Sequence, residues 1–397
     1  MGITSSHGPA VNSGRDLRID ILRGLALITI FIDHSPANPW ASYTMGNFGF
    51  SDAAEAFVLM SGIAAGLAYS RSFFGGETRM ATTKIGRRVA VIYSAHVLST
   101  IAVIVALLAL SLALPMQALI KELHVLPLVQ HPSEAIAGLF LLSYQLGYFN
   151  ILPLYCVLLA ALPFFLWLGQ KSLNMLLGVS AALWLITHLA GLYMPGWPTG
   201  ARWFLNPFGW QLLFVIGLMV GIRKKQGQRL VPYSRWLYIA SVLYVLAALG
   251  WQLAGRPAMP QVSYGIGIFL DMGKSDLSFL RLLHILALGY VIAHSQLIGR
   301  FLTSRIFMPF CVMGQASLTT FVTGSLIAIS LHMLHVVLPL NLILDSMLML
   351  LGIVVQYGFA KRAGNTKRRA VVLSVTSKPG HRNADPASAP AGRSQSS

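Results

Sequence analysis

The chain consists of long apolar runs separated by short polar segments. A membrane-spanning helix needs about 17–25 largely apolar residues, and about ten runs meet this length. They are residues 21–37, 52–70, 89–114, 150–168, 173–193, 207–222, 236–254, 280–298, 307–332 and 340–360. A further apolar stretch, 135–148, is shorter and more polar, and we predict it to be interfacial or re-entrant. Since the runs are continuous, they do not match the alternating strands of an outer-membrane barrel. The pattern predicts an all-α polytopic membrane protein with about ten transmembrane helices.

The composition excludes a soluble class. Of 397 residues, 55% are hydrophobic and only 10% are charged, whereas soluble domains carry about 25% charged residues. The two cysteines, Cys156 and Cys311, lie far apart in apolar runs, and they form neither a disulfide framework nor a zinc motif. The first 20 residues lack the apolar core of a removable signal peptide.

The basic residues are placed as in an inner-membrane protein. The net charge is +17, from 29 Lys and Arg against 12 Asp and Glu. Most of the basic residues fall in alternate polar segments, as the positive-inside rule expects. This placement predicts that both termini are cytoplasmic, and it removes the need for a nucleic-acid partner. We therefore predict a cytoplasmic segment at 1–20, a transmembrane domain at 21–360, and a basic, disordered cytoplasmic tail at 361–397.

The acidic residues have the opposite distribution. In this topology most of them lie on the outer side, and several stand at helix ends. Ionisable groups at membrane depth are costly and usually face a cavity or one another. We therefore predict a polar site open to the extracytoplasmic side. The outer acidic residues are Asp33, Asp52, Glu55, Glu122, Glu134, Asp271 and Asp276, with Asp345 in the outer half of the last helix.

The first helix carries a cation and an imidazole on one face. Arg23 and His34 are eleven positions apart, which is three helical turns plus about 20° and about 16 Å along the axis. Together they would line one passage. The alternative is structural: Arg23 reaches the headgroups, and His34 ends a helix beside Pro36.

The start of the second helix brings two carboxylates together. Asp52 and Glu55 are one turn apart, and Ser51 or Asp52 is a suitable N-cap. Glu55 lies deeper, in an apolar context, and would orient His34 or raise its basicity. Gly62 and Gly66 form a small-xxx-small surface for close helix packing.

Other polar groups lie far apart in sequence, and the predicted topology places them together on the outer side. Trp197, Trp203 and Trp210 form either an interfacial belt, which we favour, or a sugar-stacking surface. His332 and His335 lack a third ligand for a metal, and we expect them to form a polar lining. We predict no metal site. The remaining candidates are Arg202, Asn206, Trp210 and Gln211 near the sixth span, and Lys274, Asp276, Arg281 and His284 near the eighth.

Several motifs together resemble the OpgC family, membrane proteins assigned to succinylation of osmoregulated periplasmic glucans. The first helix also resembles the wider superfamily of multi-pass membrane acyltransferases, in which an Arg is followed by ten residues and a His, as at Arg23 and His34. The motifs spread over the whole transmembrane domain. They are Arg18–Gly24, Phe31–His34, Asn47–Val58, Phe204–Gly217 and Gly314–Leu318.

This resemblance implies acyl transfer across a bacterial inner membrane. An acyl group, which the resemblance implies is succinyl, would pass from cytoplasmic acyl-CoA to a hydroxyl of a periplasmic glucan or related glycan. Acyl-CoA would be a co-substrate and not a bound cofactor. His34 would be the general base, with Asp33 and Glu55 beside it, and Arg23 would hold the donor. A base of this kind suits a poorly nucleophilic sugar hydroxyl. Further groups would hold substrate or stabilise the oxyanion: Asp52, Arg202, Asn206, Trp210, Gln211, Lys274 and Arg281.

Two other function classes fit part of the pattern. A transporter or flippase for a sugar or lipid would also have many spans and an outer polar cavity, but it more often shows paired, interrupted helices. A non-catalytic membrane partner of a glucan synthase would tolerate replacement of His34. The sequence shows no acyl-Ser or acyl-Cys motif, which favours direct transfer, and it leaves the oligomeric state open.

Overall fold

The computed structural model describes residues 16–255, 272–339 and 341–376. Within these ranges the regular structure is helical, apart from one isolated bridge between Pro195 and Arg202. The helices are α1 Leu17–Asp33, α2 Ala53–Phe74, α3 Thr78–Ser111, α4 Gln117–Glu122, α5 Leu126–Gln130, α6 Pro132–Phe140, α7 Ile151–Lys171, α8 Leu173–Ala190, α9 Pro207–Lys225, α10 Arg235–Leu253, α11 Phe279–His294, α12 Gln296–Leu302, α13 Met308–Gln315, α14 Ser317–Val337 and α15 Leu342–Thr376.

Seven described helices are long and apolar enough to cross a membrane. They are α2, α3, α7, α8, α10, α14 and the first part of α15, Leu342–Thr366. Helices α11 and α12 meet at a bend of 85° and would add an eighth span if they form one crossing. The all-helical architecture is confirmed, whereas the count of ten spans and the cytoplasmic termini stay predictions.

Helices α1 and α9 lie outside those seven for different reasons. Helix α1 has only 17 residues and carries Asp20 and Arg23. Helix α9 ends in three basic residues, and most of its side chains are buried within the protein. A helix surrounded by protein does not need an all-round apolar surface, so the hydropathy of α9 is lower than that of the lipid-facing helices.

Helices α2 and α9 form the most extensive helix pair. Glycines let their backbones approach closely: a β-carbon on Gly62 would overlap the carbonyl oxygen of Phe214, and one on Gly217 would overlap that of Leu59. Gly66 and Gly221 extend the same contact one turn further. The predicted small-residue packing surface of α2 is therefore confirmed, and α9 supplies the matching surface.

The other helices pack around this central pair. Helix α1 packs against α13, α2 and α14, while α3 packs on α7 and α8 packs on α9. A β-carbon on Gly24 would overlap the carbonyl oxygen of Phe310 in α13, so this contact is also a close backbone approach. In the candidate spanning windows of α8, α10 and α15, no more than 22% of residues are buried. These three helices form the periphery.

The polar groups separate to two ends of the bundle. At one end, which we call the His34 end, the last residues of α1 meet the first residues of α2, α9 and α11. At the opposite end, Asp16 before α1 forms an ion pair with Lys224 in the last turn of α9. Of the acidic residues predicted to share one side, Asp33, Asp52, Glu55 and Glu122 lie at the His34 end. Asp271 lies outside the described residues, and the common side of the others stays a prediction.

Two predicted boundaries need correction. The first span ends at Asp33 rather than at residue 37, because Pro36 and the Asn38 side chain favour a turn directly after the helix. The tail predicted to be disordered from residue 361 begins as a continuation of α15, which is helical to Thr376. Residues 1–15 and 377–397, which complete the predicted terminal segments, lie outside the described residues.

The α2–α9 contact predicts a position-specific effect of adding one methyl group. Gly217→Ala is expected to lower the thermal unfolding midpoint in detergent, since overpacking costs about 1–3 kcal/mol. Gly178→Ala in α8 is the matched control, because a β-carbon there meets nothing within 4 Å. Equal midpoints for both variants would contradict close packing of α2 on α9.

Candidate active site

His34 is the first residue beyond the end of α1. Its backbone N–H donates to the carbonyl oxygen of Ile30 at 3.0 Å. The Asn38 amide donates to the carbonyl oxygens of Ile32 and Ser35 at 3.0 and 2.6 Å. These bonds supply donors to carbonyl groups that have no N–H partner within the helix. They also fix the turn from which the imidazole projects, so His34 lies at a helix end rather than within a longer helix.

An aromatic and acidic group of side chains surrounds the imidazole. The Tyr148 ring lies 4.7 Å from the His34 ring, centroid to centroid. The Tyr148 hydroxyl donates to Glu122 Oε1 at 2.9 Å. His332 from α14 places Nε2 3.0 Å from the carbonyl oxygen of His34 and Nδ1 3.7 Å from Glu122 Oε1. His34 is thus contacted by two other segments, at its backbone by His332 and at its ring by Tyr148.

Among the described residues, the hydrogen bonds of His34 are made by its backbone and none by its ring nitrogens, and the side chain is half-buried. A narrow seam, with no room for a water molecule, runs from this side chain along α1 towards α14. Its lining residues are Leu27, Ile30, Phe31, His34, Phe321, Gly324 and Ser325. An imidazole whose nitrogens make no other hydrogen bond is available to take a proton.

The start of α2 carries a charged cluster. The Asp52 side chain accepts from the N–H of Ala54 at 2.8 Å, and Glu55 accepts from the N–H of Asp52 at 3.0 Å, forming a capping box. Asp52 Oδ2 also accepts from Lys274 Nζ at 2.6 Å and from Arg281 at 3.0 Å. Arg281 donates to Glu55 at 2.6 Å. Two carboxylates and two cations therefore lock the start of α2 to the start of α11.

Burial differs across this cluster. The Glu55 side chain is fully buried, whereas that of Lys274 is 30% exposed. Asp52 stands just before the spanning part of α2. Burial alone would raise the pKa of Asp52, but Lys274 and Arg281 hold that pKa well below its usual range. Lys274 is therefore the cation of the cluster most available to a ligand.

The start of α9 holds the loop that carries Lys274. The Trp210 indole N–H donates to the carbonyl oxygens of Lys274 and Ser275, each at 3.1 Å. The Asn206 amide donates to Asp276 Oδ1 at 2.6 Å. A β-carbon on Gly209 would overlap the carbonyl oxygen of Asp276, so only glycine permits this approach. The conformation of residues 273–276 thus depends on α9.

The remaining candidates near α9 are engaged in the scaffold. Gln211 bonds to the backbone and hydroxyl groups of Ser180 in α8. Arg202 is half-exposed, lies 3.7 Å from Asp276 and stacks over Tyr193 at 4.6 Å. The bonds of Asn206 and Gln211 favour a positioning role for both side chains. Direct contact of Arg202, Asn206, Trp210 or Gln211 with substrate stays an untested prediction.

His34 and the charged cluster belong to one region. The charges of Lys274 and Asp52 both act on His34, and both also act on Asp33. Asp33 is exposed and lies beside the Thr44 hydroxyl. The structure therefore brings together His34, Asp33, Asp52, Lys274 and, through ion pairs, Glu55 and Arg281.

Arg23 lies in α1, towards the end opposite His34. Its guanidinium donates to the carbonyl oxygen of Met60 in α2 at 3.1 Å and lies 4.0 Å from Asp20. The side chain is only 11% exposed. A buried guanidinium in this position joins α1 to α2, and its contact with a donor stays a prediction.

Two sequence-based expectations need correction, and one alternative is resolved. Glu55 is hydrogen-bonded to Arg281 and to the N–H of Asp52 rather than to His34. Of the two N-cap candidates, Asp52 caps α2, and Ser51 lies 2.7 Å from His284 Nδ1. Two of the three tryptophans assigned to an interfacial belt, Trp203 and Trp210, are buried and donate to backbone carbonyls.

Sequence reasoning missed Tyr148 entirely. It lies in the non-helical segment after α6, in a run of aromatic and polar residues, and no spacing relates it to His34. Glu122 was recognised only as one of the outer acidic residues. Among the described residues, no group of three His, Cys, Asp or Glu side chains is close enough to hold a metal.

The burial of Glu55 predicts that loss of its cation alone costs more stability than loss of both charges. Arg281→Gln should destabilise the fold by about 3–5 kcal/mol, because it leaves Glu55 buried without its cation. The double variant Arg281→Gln with Glu55→Gln should recover part of that loss. Arg202→Gln is the control, since its ion pair is exposed and such pairs contribute about 0–1 kcal/mol. Unfolding midpoints in detergent measure all three. Additive losses in the double variant would contradict a coupled pair.

Comparison with known proteins agrees with the motifs. The profile described as OpgC protein matches residues 15–368, which is nearly the whole chain. Searches of curated proteins and of solved structures returned no match. Membership of this family suggests a glucan-modifying acyltransferase and is consistent with a membrane protein that has several apolar helices. On the extent of the profile match, the chain belongs to the OpgC protein family.

Proposed function

We propose that this protein is an integral membrane O-acyltransferase of the bacterial inner membrane. It transfers an acyl group, most simply succinyl, from cytoplasmic acyl-CoA to a hydroxyl of a periplasmic glucan or related glycan. The observation that carries the proposal is the His34 imidazole, whose nitrogens have no partner among the described residues. It stands at a fixed helix end beside the Lys274–Asp52 cluster. Family membership supports the same chemistry.

His34 is the general base in this proposal. A sugar hydroxyl gives its proton to His34 while its oxygen attacks the carbonyl carbon of the thioester, so a C–O bond forms. The C–S bond then breaks, and the departing thiolate takes the proton from the imidazolium. The products are a sugar ester and free CoA, and His34 returns to its starting state. No oxidant or metal is required.

The cations of the cluster supply electrostatic stabilisation. The carbonyl oxygen becomes negative during attack, and preorganised positive charge lowers that barrier. Lys274 is partly exposed and already oriented by Asp52, so it is the strongest candidate for this contact. A succinyl group also carries a free carboxylate, which Lys274 or Arg281 would bind. Asp33, exposed beside His34, is suited to accept hydrogen bonds from a sugar.

The donor route requires that the end opposite His34 face the cytoplasm. That end carries basic residues, including Arg71, Arg88, Lys224 and Lys225, as the positive-inside rule expects. Arg23 lies between the two ends and is proposed to contact the donor. The competing transport function would use the bend between α11 and α12 as part of a moving helix.

Replacing His34 separates catalysis from transport. We would extract glucans from cells carrying wild type, His34→Ala, His131→Ala or no copy of the gene, and measure substituent masses. The acyl increment should be present with wild type and His131→Ala. It should be lost with His34→Ala, since removing a general base costs about 10²–10⁴-fold in rate. His131 is the matched control because its side chain is 59% exposed and pairs with Glu134 at the surface.

Immunoblots must show equal amounts of the three proteins. Unchanged acylation with His34→Ala protein would overturn the role of His34. Equal glucan substitution in all four strains would overturn the enzyme itself, and transport of a sugar or lipid would then become the leading function.

The topology is tested independently. A reporter fused after residue 397, and another fused before residue 1, are expected to be active only in the cytoplasm. A periplasmic signal from either fusion would contradict the proposed donor route.

A further inference from the structure

We propose that Tyr148 is a positioning residue for His34 and stabilises the imidazolium formed during acyl transfer, with Glu122 anchoring its hydroxyl. The inference deepens the proposed function and rests on it. Nothing in the motifs around His34 indicates Tyr148; the role follows from the contacts of the folded chain.

The contact joins segments that are far apart in sequence. Tyr148 lies just before α7, whereas His34 follows α1, and their ring centroids are 4.7 Å apart with planes inclined by 41°. The Tyr148 hydroxyl donates to Glu122 Oε1 at 2.9 Å. That bond orients the phenol and leaves its ring against the imidazole. The ring of His332 lies 5.4 Å from Tyr148.

Tyr148 acts without carrying charge. Burial, and then the hydrogen bond that the hydroxyl donates to Glu122, raise the pKa of Tyr148 to about 12. The phenol therefore stays protonated at any pH where the enzyme works, and it does not compete with His34 as a base. An aromatic face attracts a cation, so the ring favours the protonated form of its neighbour.

Charged and titratable groups face His34 from every neighbouring element. Asp52 favours the imidazolium, whereas Lys274 and a protonated His332 oppose it. Asp33 is the preceding residue, and Glu122 accepts from the Tyr148 hydroxyl and lies 3.7 Å from His332. The carboxylates are themselves engaged, Asp52 by two cations. The Tyr148 ring contacts the imidazole directly. It offsets the repulsion from Lys274 when His34 takes up the proton of the sugar hydroxyl.

Three substitutions at one position test the inference. Tyr148→Phe keeps the ring and removes only the hydroxyl, so we expect its rate to fall by less than about threefold. Tyr148→Leu removes the ring, and the rate should fall by about 2- to 30-fold at an unchanged KM for the donor. Pentafluorophenylalanine at position 148 keeps the shape of Phe but reverses the attraction of its face, so it should behave as Leu does.

The pH profile separates this role from simple packing. With the ring removed, the imidazolium is less stable, so His34 remains deprotonated to lower pH. The acid limb of kcat/KM should therefore move down by about 0.5–1 pH unit for the Leu and pentafluorophenylalanine proteins. It should not move for Phe. A smaller amount of folded protein would lower the apparent kcat/KM at every pH but would not move its acid limb.

Tyr290→Leu is the matched control. Tyr290 lies 4.2 Å from His294 with planes inclined by 40°, and its hydroxyl is hydrogen-bonded to Pro232. This tyrosine–histidine pair has nearly the same geometry, but it lies in the last part of α11, away from the His34 end. The rate and pH profile of the Tyr290→Leu protein should match those of wild type.

The assay uses full-length protein in vesicles, with succinyl-CoA and glucan extracted from cells that lack the gene. Activity lost with His34→Ala but unaltered with Tyr148→Leu would overturn this inference and leave the proposed function intact. An unmoved acid limb for pentafluorophenylalanine would also overturn it. Activity retained by His34→Ala would overturn the proposed function itself.

Discussion

The close approach of α2 and α9 is the contact on which the site depends. Glycines on both helices bring the two backbones together along several turns. This places the first residues of α2, which carry Asp52 and Glu55, beside the first residues of α9, which carry Asn206 and Trp210. In a bilayer, helix association depends on such packing, because lipid is as apolar as the side chains it would replace. A bulkier residue in this contact would separate the charged cluster from the loop that completes it.

Electrostatics then makes the arrangement specific. Glu55 is fully buried, and its carboxylate is acceptable there only because Arg281 and the N–H of Asp52 bond to it. The same arginine reaches Asp52, which in turn orients Lys274. Removing one of these charged side chains therefore leaves its partner without a counter-charge. Ion pairs of the cluster hold α2 to α11, while glycines hold α2 to α9 by close backbone packing.

The sequence predicts local features well and long-range pairings poorly. Apolar runs locate the helices, and Gly62 with Gly66 indicates the packing face of α2, because both signals are local periodicities. The partner of Glu55 was not predictable, since Arg281 lies more than two hundred residues away and no spacing links them. Trp210 resembled a membrane-interface residue by type alone. Its burial depends on a loop that only the folded chain brings near.

Residues 274–276 are held mainly through their backbone. The indole of Trp210 donates to the main-chain carbonyls of Lys274 and Ser275, and the backbone N–H of Asn206 also donates to the Ser275 carbonyl. Bonds of this type do not depend on which side chains the loop carries. Exchange of Lys274 or Ser275 during evolution would therefore change the chemistry presented beside His34 while the loop keeps its course. Such an arrangement lets related chains diverge in the groups they accept without rebuilding the bundle that supports them.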